Sequence, residues 1–205
     1  NIFLFNIGLR LSKASIQPYF YLKNKELLFG EDFFTKNKLN DCTVMGLHVG
    51  CDQNSKYRRY PLNRFQKIID TYIELSDSHK VVCFFGPDEV LLSNLIKSNP
   101  NVFIVQGRSI QCISSIIKKV DVMLTTDSGL GHIAVAFKTP CVSIMGPADS
   151  LVTSPYGSIH SVVETNKKLS CKPCIHTKEY INCTHFDCLN TISEDDILLK
   201  VLEKI

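Results

Sequence analysis

Three glycine-bearing turns follow apolar segments of this chain and have the residue types that contact phosphorylated ligands. They are residues 86–89 (GPDE), 127–132 (DSGLGH) and 146–149 (GPAD). Glycine lets the backbone approach a ligand closely, and the free N–H groups at the start of a helix bind phosphate. A basic segment with Lys56, Arg58 and Arg59 lies nearby in the sequence and adds cationic donors. Together these features favour a nucleotide-linked ligand.

Each of these residues also has an ordinary structural explanation. Asp127 or Ser128 could cap the following helix, and Glu89 could compensate a helix dipole in a first turn. His132 could be a plain polar residue, and the two arginines at 58 and 59 could be solvated. The convergence of all of them, rather than any single residue, favours a binding site. A carboxylate at such a position is suited to accept hydrogen bonds from ribose or sugar hydroxyls.

A second interpretation of the turn at residue 127 is a dinucleotide site. Residues 129–134 (GLGHIA) match the dinucleotide fingerprint, and Asp149 follows about 20 residues later. That fingerprint normally follows the first strand of its fold, whereas here it follows about the fourth. An NAD-type dehydrogenase domain is therefore kept as an alternative.

Four of the nine cysteines form a cluster in the sequence. Cys171, Cys174, Cys183 and Cys188 have the spacing C-x2-C-x8-C-x4-C, with His176 and His185 nearby. Four thiolates can bind structural Zn or Fe, but a reduced, structural thiol cluster without metal is favoured, and metal binding is kept as the alternative. The odd number of cysteines and the lack of a visible export signal predict a reducing, cytoplasmic location.

Composition excludes several classes of protein. The chain has 205 residues, of which 44% are hydrophobic and 21% charged, with a net charge of +3. This is too apolar for a disordered protein and too weakly basic to predict nucleic-acid binding. The longest apolar runs are far shorter than the roughly 20 residues of a transmembrane helix.

From residue 43 onward, short apolar segments alternate with helical periodicity. The pattern predicts strands over 43–49, 80–85, 102–105, 120–124 and 140–145, with helices between them. Strands without a polar face, in this alternation, predict an α/β fold with a Rossmann-like, doubly wound parallel sheet. The flanks predict a strand at 19–22, a helix at 24–36, a cysteine-bearing loop at 166–190 and a closing helix at 193–204, capped by Ser193.

The segment from residue 126 to 157 resembles the donor-site signature of glycosyltransferase family nine, which contains the lipopolysaccharide heptosyltransferases. Upstream, residues 58–61 (RRYP) and 86–89 (GPDE) are similar to two further family motifs, and the cysteines at 171–188 resemble its cysteine-bearing tail. The resemblance covers about residues 43–205. The matching signature residues are Asp127, Ser128, Gly129, His132, Ala134, Ala136, Pro140, Gly146, Pro147, Pro155, Tyr156 and Gly157.

The resemblance implies a GT-B enzyme, with this chain as its C-terminal, donor-binding half. Residues 1–42 would form the linker, and residues 43–205 the nucleotide-sugar domain. Arg58, with Lys56 as substitute, and the turn at 127–131, including Gly129 and Gly131, would bind the diphosphate and sugar. Glu89 would accept the ribose hydroxyls, and His132 would contact the donor.

The reaction implied is an inverting, metal-independent transfer of heptose from ADP-heptose to a lipid-linked lipopolysaccharide-core acceptor. The general base of the family resides in an N-terminal domain, and no catalytic residue is expected in this chain. No cofactor is required, and a peripheral position on the cytoplasmic membrane face is consistent with the acceptor. A non-catalytic, metal-stapled nucleotide-binding module remains the alternative.

Several departures from the family pattern are visible, among them Leu130-Gly131 in the donor turn and Ala148 in place of Thr. Arg58 stands where a lysine usually meets the phosphate, and arginine offers a forked donor of different geometry. Lys138-Thr139 replaces the usual Gly-x before Pro140. These changes leave the sugar open.

Overall fold

The computed structural model describes residues 18–50, 57–175 and 177–205, and in them it confirms the predicted α/β architecture. Six parallel strands form one sheet in the order β3-β2-β1-β4-β5-β6. The strands are β1 Thr43–His48, β2 His79–Phe85, β3 Val102–Gln106, β4 Val122–Thr126, β5 Cys141–Met145 and β6 His160–Glu164. The helices are α1 Asn24–Lys36, α2 Leu62–Glu74, α3 Val90–Ser93, α4 Ile110–Ile117, α5 Gly129–Ala136, α6 Ser150–Thr153, α7 Lys178–Ile181, α8 Asp187–Asn190 and α9 Glu194–Leu202, with a 3₁₀ turn over Pro87–Glu89.

The strand order reverses between β1 and β4. The chain builds β1, β2 and β3 toward one edge and then returns to place β4 on the free side of β1. His48, at the end of β1, is in register with Phe84 of β2 and Thr125 of β4. In open parallel sheets, ligands bind in the crevice beyond the carboxyl ends of the strands at such a reversal. The fold therefore places its crevice next to His48.

Alternate residues of the strands are buried in two cores, one on each face of the sheet. Leu47 and Leu124 point to the core covered by α2 and α9, whereas Val44 and Met123 point to the core beneath α1, α4 and α5. The central strands β4 and β5 are buried along their whole length. This two-sided burial explains why their sequences lack the alternation of a half-exposed strand.

One prediction at the flanks is wrong, and one strand was missed. The predicted strand at 19–22 does not form. Tyr19 and Tyr21 are exposed, and Phe20 packs edge-on against Phe137. An aromatic-rich segment favours a strand only where a neighbouring strand offers hydrogen bonds. The sequence analysis also missed β6, a five-residue edge strand that pairs with β5.

The segment before β1 packs as part of the domain. Helix α1 lies against α4, and Phe34 and Leu39 are buried in the second core. The predicted helix at 24–36 is confirmed. The predicted division at residue 43 coincides with the first residue of β1, but as a domain boundary it stays a prediction.

The contact between α1 and α4 depends on Gly30. A Cβ atom added to this residue would lie 2.5 Å from the carbonyl oxygen of Ser115 in α4. Because the obstacle is backbone, relief requires the two helices to separate. Helix packing thus requires glycine at position 30, although alanine is the better helix former.

We expect Gly30→Ala to destabilise the chain by about 2 kcal/mol, since the steric cost outweighs the ~1 kcal/mol that alanine gains in helix propensity. Urea unfolding followed by circular dichroism measures the change. Gly129→Ala is the matched control, because an added Cβ at Gly129 meets nothing within 4 Å. If both variants had the stability of the wild type, the packing argument would be wrong.

The turn after α5 shows the physical consequence of one departure from the family pattern. Lys138 has a φ of +62°, in the left-handed region where glycine is favoured. The N–H groups of Lys138 and Thr139 bond the carbonyls of Val135 and Ala134, both at 2.9 Å, which is a Schellman motif. A glycine at this position would adopt the backbone conformation without strain. Lys138 adopts the same conformation at a cost in conformational free energy.

None of the helices within the described ranges is both long enough and apolar enough to cross a membrane.

Candidate functional site

A cleft of about 890 Å³ opens at the carboxyl ends of β1, β2 and β4, at the reversal of strand order. Its volume is in the range of cofactor and nucleotide sites. The lining combines polar and charged side chains with an apolar wall formed by Ile110, Ile113 and Ile133. The lining residues are His48, Arg58, Phe84, Phe85, Gly86, Pro87, Asp88, Glu89, Gly107, Arg108, Ile110, Ile113, Asp127, Ser128, Gly129, Leu130, His132 and Ile133.

The structure brings most of the predicted site residues together in this cleft. Six of them line it: Arg58, Glu89, Asp127, Ser128, Gly129 and His132. Gly131 does not, since an added Cβ there would meet Thr125 Cγ2 at 3.0 Å and Pro155 Cγ at 3.1 Å. Gly131 instead allows the first turn of α5 to pack closely on β4. Lys56 lies outside the described residues.

Arg58 and Asp127 form an ion pair across the mouth of the cleft. Arg58 Nη1 donates to Asp127 Oδ2 at 3.1 Å, and the Asp127 side chain is only 7% exposed. Arg58 Nε is buried and has no hydrogen-bond partner within the described part of the chain. The Arg58 side chain is 22% exposed, so its guanidinium can also face an anionic ligand in the cleft.

Glu89 is buried in the polar side of the cleft. Gly86 N–H donates to Glu89 Oε2 at 2.8 Å, and His48 Nε2 lies 3.1 Å from the same oxygen. Burial would raise the pKa of the Glu89 carboxyl, but the bonds from His48 and Gly86 and the nearby Arg59 charge outweigh it and lower the pKa. Glu89 is therefore an ionised acceptor at neutral pH.

Ser128 occupies the N-cap position of α5 without capping it. Its side chain makes no capping bond; instead Ser128 Oγ lies 2.9 Å from His48 Nδ1 and 2.7 Å from Thr125 Oγ1. The interpretation that Ser128 merely caps the helix is therefore wrong. The serine side chain leaves the N-terminal N–H groups of α5 to other partners, and the adjoining Gly129 adds no side chain that would block a ligand.

The sequence analysis missed His48 and the apolar wall of the cleft. His48 could have been found because it closes the first predicted strand, and Gly107-Arg108 because it follows the third. Ile110, Ile113 and Ile133 come from two helices that the sequence does not place side by side. An apolar wall opposite charged groups fits a flat aromatic base joined to a sugar phosphate.

The dinucleotide interpretation receives no support from this geometry. It requires Asp149 to contact a ribose, but Asp149 Oδ1 accepts a hydrogen bond from Leu151 N at 3.0 Å and caps the short helix α6. Asp149 does not line the cleft. The fingerprint segment follows β4 rather than β1.

The four clustered cysteines surround one small internal space beside Tyr57 and Phe186. Among the side chains that the structure describes, no group of three or more His, Cys, Asp or Glu is arranged to hold a metal ion. Burial, together with the neighbouring thiols, raises the pKa of Cys174, and it raises the pKa of Cys188 to about 11. Structural Zn or Fe at this cluster stays a prediction.

We expect Cys174 and Cys188 to be alkylated by iodoacetamide at pH 8 at least about 10-fold more slowly than Cys171 and Cys183, because they are buried and remain protonated. Mass spectrometry of timed samples gives the individual rates. Alkylation in urea should make the four rates similar. Equal rates in the native chain would contradict the described burial.

The chain matches the family model for glycosyltransferase family 9 (heptosyltransferase) over residues 1–185. It is 26% identical over 230 residues to a lipopolysaccharide heptosyltransferase 1 from Campylobacter coli, covering 99% of this chain and 61% of that protein. Two further curated relatives, lipooligosaccharide heptosyltransferases 2 from Campylobacter jejuni, are covered to 51% and 50%. The chain thus spans about half to three fifths of the length of the curated relatives it matches.

Solved structures share the fold. A family 9 glycosyl transferase from Veillonella parvula superposes with a TM-score of 0.75 at 19% identity, covering 90% of this chain and 52% of that one. The E. coli heptosyltransferase WaaC, solved with ADP-2-deoxy-2-fluoro heptose, gives a TM-score of 0.61 at 14% identity, covering 86% of this chain and 48% of that one.

Proposed function

The chain belongs to glycosyltransferase family 9, and from this premise we propose that its cleft binds the nucleotide-sugar donor ADP-heptose. The full protein would transfer heptose to a lipopolysaccharide-core acceptor. The observation that carries the proposal is the placement of Arg58, Glu89 and the start of α5 around one cleft at the reversal of strand order. These groups match, in kind and in arrangement, the parts of a nucleoside diphosphate sugar.

The diphosphate would lie between Arg58 and the N-terminus of α5. The partly exposed guanidinium of Arg58 and the N–H groups at the start of α5, which the Ser128 side chain does not cap, both favour negative charge. Ser128 and the exposed His132 stand beside this position and would contact the phosphates or the sugar. Asp127 fixes Arg58 and leaves the mouth of the cleft less positive, which suits a partly neutral sugar next to the phosphate.

The nucleoside would lie deeper in the cleft. Glu89 is ionised and accepts hydrogen bonds, so its carboxylate would receive the ribose hydroxyls. The adenine ring would contact the apolar wall formed by Ile110, Ile113 and Ile133. This orientation places the anomeric carbon of the heptose toward the open side of the cleft, where an acceptor could approach.

Transfer would proceed by attack of an acceptor hydroxyl on the anomeric carbon, with inversion and departure of ADP. Negative charge then grows on the diphosphate, and a fixed cation with aligned backbone N–H groups stabilises it. This chain's residues would hold and stabilise the leaving group, with no metal ion required. The general base would come from a second domain, so the isolated chain would bind donor without transferring it, at the cytoplasmic side of the membrane.

Calorimetric titration tests the proposal directly. We expect ADP and ADP-heptose to bind the chain with Kd values below about 1 mM, and UDP, GDP and NADH to bind more weakly. Failure of every adenine nucleotide to bind would overturn it. Tight NADH binding with weak ADP-heptose binding would instead support a dehydrogenase domain.

The alternative of a binding module without catalysis makes a separate prediction. Such a module would bind the nucleotide, yet the full-length parent protein would show no heptosyl transfer. Assay of that protein with ADP-heptose and a lipopolysaccharide-core acceptor distinguishes the two, and ADP release coupled to product formation supports the transferase.

A further inference from the structure

His48 is a buried histidine that links two groups of the cleft which come from distant parts of the chain. It is the last residue of β1 and is 8% exposed. Its Nε2 lies 3.1 Å from Glu89 Oε2, beyond the end of β2, and its Nδ1 lies 2.9 Å from Ser128 Oγ, beyond the end of β4. Both ring nitrogens are thus engaged, one on each side of the central strand.

The chemistry of the partners fixes one of these hydrogen bonds. Glu89 is ionised and can only accept, so His48 Nε2 carries a hydrogen and donates it to the carboxylate. The other ring nitrogen, Nδ1, contacts the Ser128 hydroxyl at 2.9 Å. Thr125 Oγ1, at 2.7 Å, holds the same serine oxygen from its other side. The Ser128 side chain is therefore held between His48 and Thr125.

Glu89 also has two contacts with backbone. An added Cβ on Gly50 would lie 1.5 Å from Glu89 Oε1, so the carboxylate packs directly on the backbone at Gly50. Gly86 N–H holds Oε2 at 2.8 Å. These backbone contacts leave the carboxylate's orientation to be completed by His48, whose ring contacts Oε2 from the side of β1.

We propose that His48 is a positioning residue that orients Glu89 and Ser128 together. It would thereby fix the group that binds the ribose hydroxyls relative to the group that binds the phosphates. The inference rests on the proposed function, in which Glu89 receives the ribose hydroxyls and Ser128 contacts the phosphates. Both ring nitrogens of His48 are engaged by these two side chains, so neither is left to bond the ligand directly. Its effect is transmitted through the two side chains that it bonds.

Two ligand preferences separate positioning from general loosening of the cleft. The first is the affinity ratio of ADP to 2′,3′-dideoxy-ADP, which reports on Glu89. The second is the ratio of ADP to AMP, which reports on the phosphate side. We expect the wild-type chain to prefer ADP over the dideoxy ligand by about 10- to 100-fold, as hydrogen bonds to a charged group imply.

In His48→Ala both ratios should fall, the ribose ratio to below about 3-fold. Glu89→Gln should reduce mainly the ribose ratio, and Ser128→Ala mainly the phosphate ratio. His48→Gln, whose amide N–H can still donate to Glu89, should restore part of the ribose ratio. A purely structural role of His48 would weaken all ligands by one factor and leave both ratios unchanged.

His79→Ala is the matched control. His79 lies at the opposite end of the sheet, where its ring stacks on Tyr72 and its Nδ1 bonds the Tyr72 carbonyl at 2.8 Å. Loss of this half-buried imidazole should lower the stability of the fold without changing either affinity ratio. Unchanged ratios in His48→Ala, with ADP still bound, would overturn the positioning role alone. Absence of ADP binding to the wild-type chain would overturn the proposed function together with this inference.

Discussion

The Arg58→Ala variant should bind ADP at least about 100-fold more weakly than the wild-type chain. Arg58 supplies charged donors at the proposed diphosphate position, and each hydrogen bond to a charged group contributes roughly 1.5–3 kcal/mol. The substitution also leaves the Asp127 carboxylate, 7% exposed, without its cation. An unpaired carboxylate would repel the diphosphate and add to the loss. Isothermal titration with ADP measures the change.

Two further variants separate the contributions of the Arg58 charge, of its guanidinium geometry and of its pairing with Asp127. Arg58→Lys keeps the charge but loses the forked geometry, and it should recover about 10-fold of the lost affinity. The double variant Arg58→Ala with Asp127→Asn removes the unpaired charge, so it should recover the part of the affinity lost to repulsion but not the part that the guanidinium supplies. If Arg58→Ala bound ADP as tightly as the wild type, the diphosphate would not lie at the mouth of the cleft.

The Arg64→Ala variant should show the opposite result, a loss of about 3 kcal/mol of stability with ADP affinity unchanged within about 3-fold. Arg64, on α2, donates to the carbonyls of Asn190 at 3.0 Å and Ile192 at 2.6 Å, and it pairs with Glu194 at the start of α9. Its guanidinium also lies 4.8 Å from the centre of the Tyr60 ring. Alanine leaves these acceptors without their charged donor.

Lys67→Ala is the control for this variant, because Lys67 contacts the same carboxylate at 3.4 Å but is 70% exposed. Its loss should cost less than about 0.5 kcal/mol. Urea unfolding of the three proteins gives the comparison. Similar stability of the arginine and lysine variants would show that Arg64 does not hold α9 in place.

The ion pair between Arg64 and Glu194 also makes the stability of the fold depend on pH in the acidic range. The hydrogen bond from Arg64, against a smaller effect of burial, lowers the pKa of Glu194 to about 2. A carboxyl whose pKa is lower in the folded than in the unfolded chain stabilises the fold above the unfolded value of about 4.3. That contribution is lost as the pH falls from there toward 2. Arg64→Ala should reduce the slope of stability against pH in this window.

Much of the fold was predictable because its strands are apolar on both sides. Burial between two helical layers makes β4 and β5 read as short continuous apolar runs, and the helices between them show clear periodicity. The edge strand β6 was missed because it is only partly buried and has a mixed sequence. The false strand at 19–22 arose from the reverse case, in which aromatic residues lie on the surface without a strand partner.

The binding cleft was predictable only in part. Turns rich in glycine and carboxylate, such as the one at Asp127, follow strand ends in the sequence, and parallel strands bring those ends together. The sequence could not show that Gly131 faces Thr125 and Pro155 rather than the cleft. Nor could it show that Ser128 contacts His48 instead of capping α5. Both depend on the direction of a side chain within a turn.

The sequence alone determined the class of fold, the set of strand-end turns and the family that the chain resembles, because each depends on local residue patterns and their order. The tertiary structure decided the partners: Arg58 with Asp127, 69 residues apart, and His48 with Glu89 and Ser128, 41 and 80 residues apart. These pairings follow from the order β2-β1-β4 in the sheet. Strand order is set by packing between distant segments, and no local pattern in the chain encodes it.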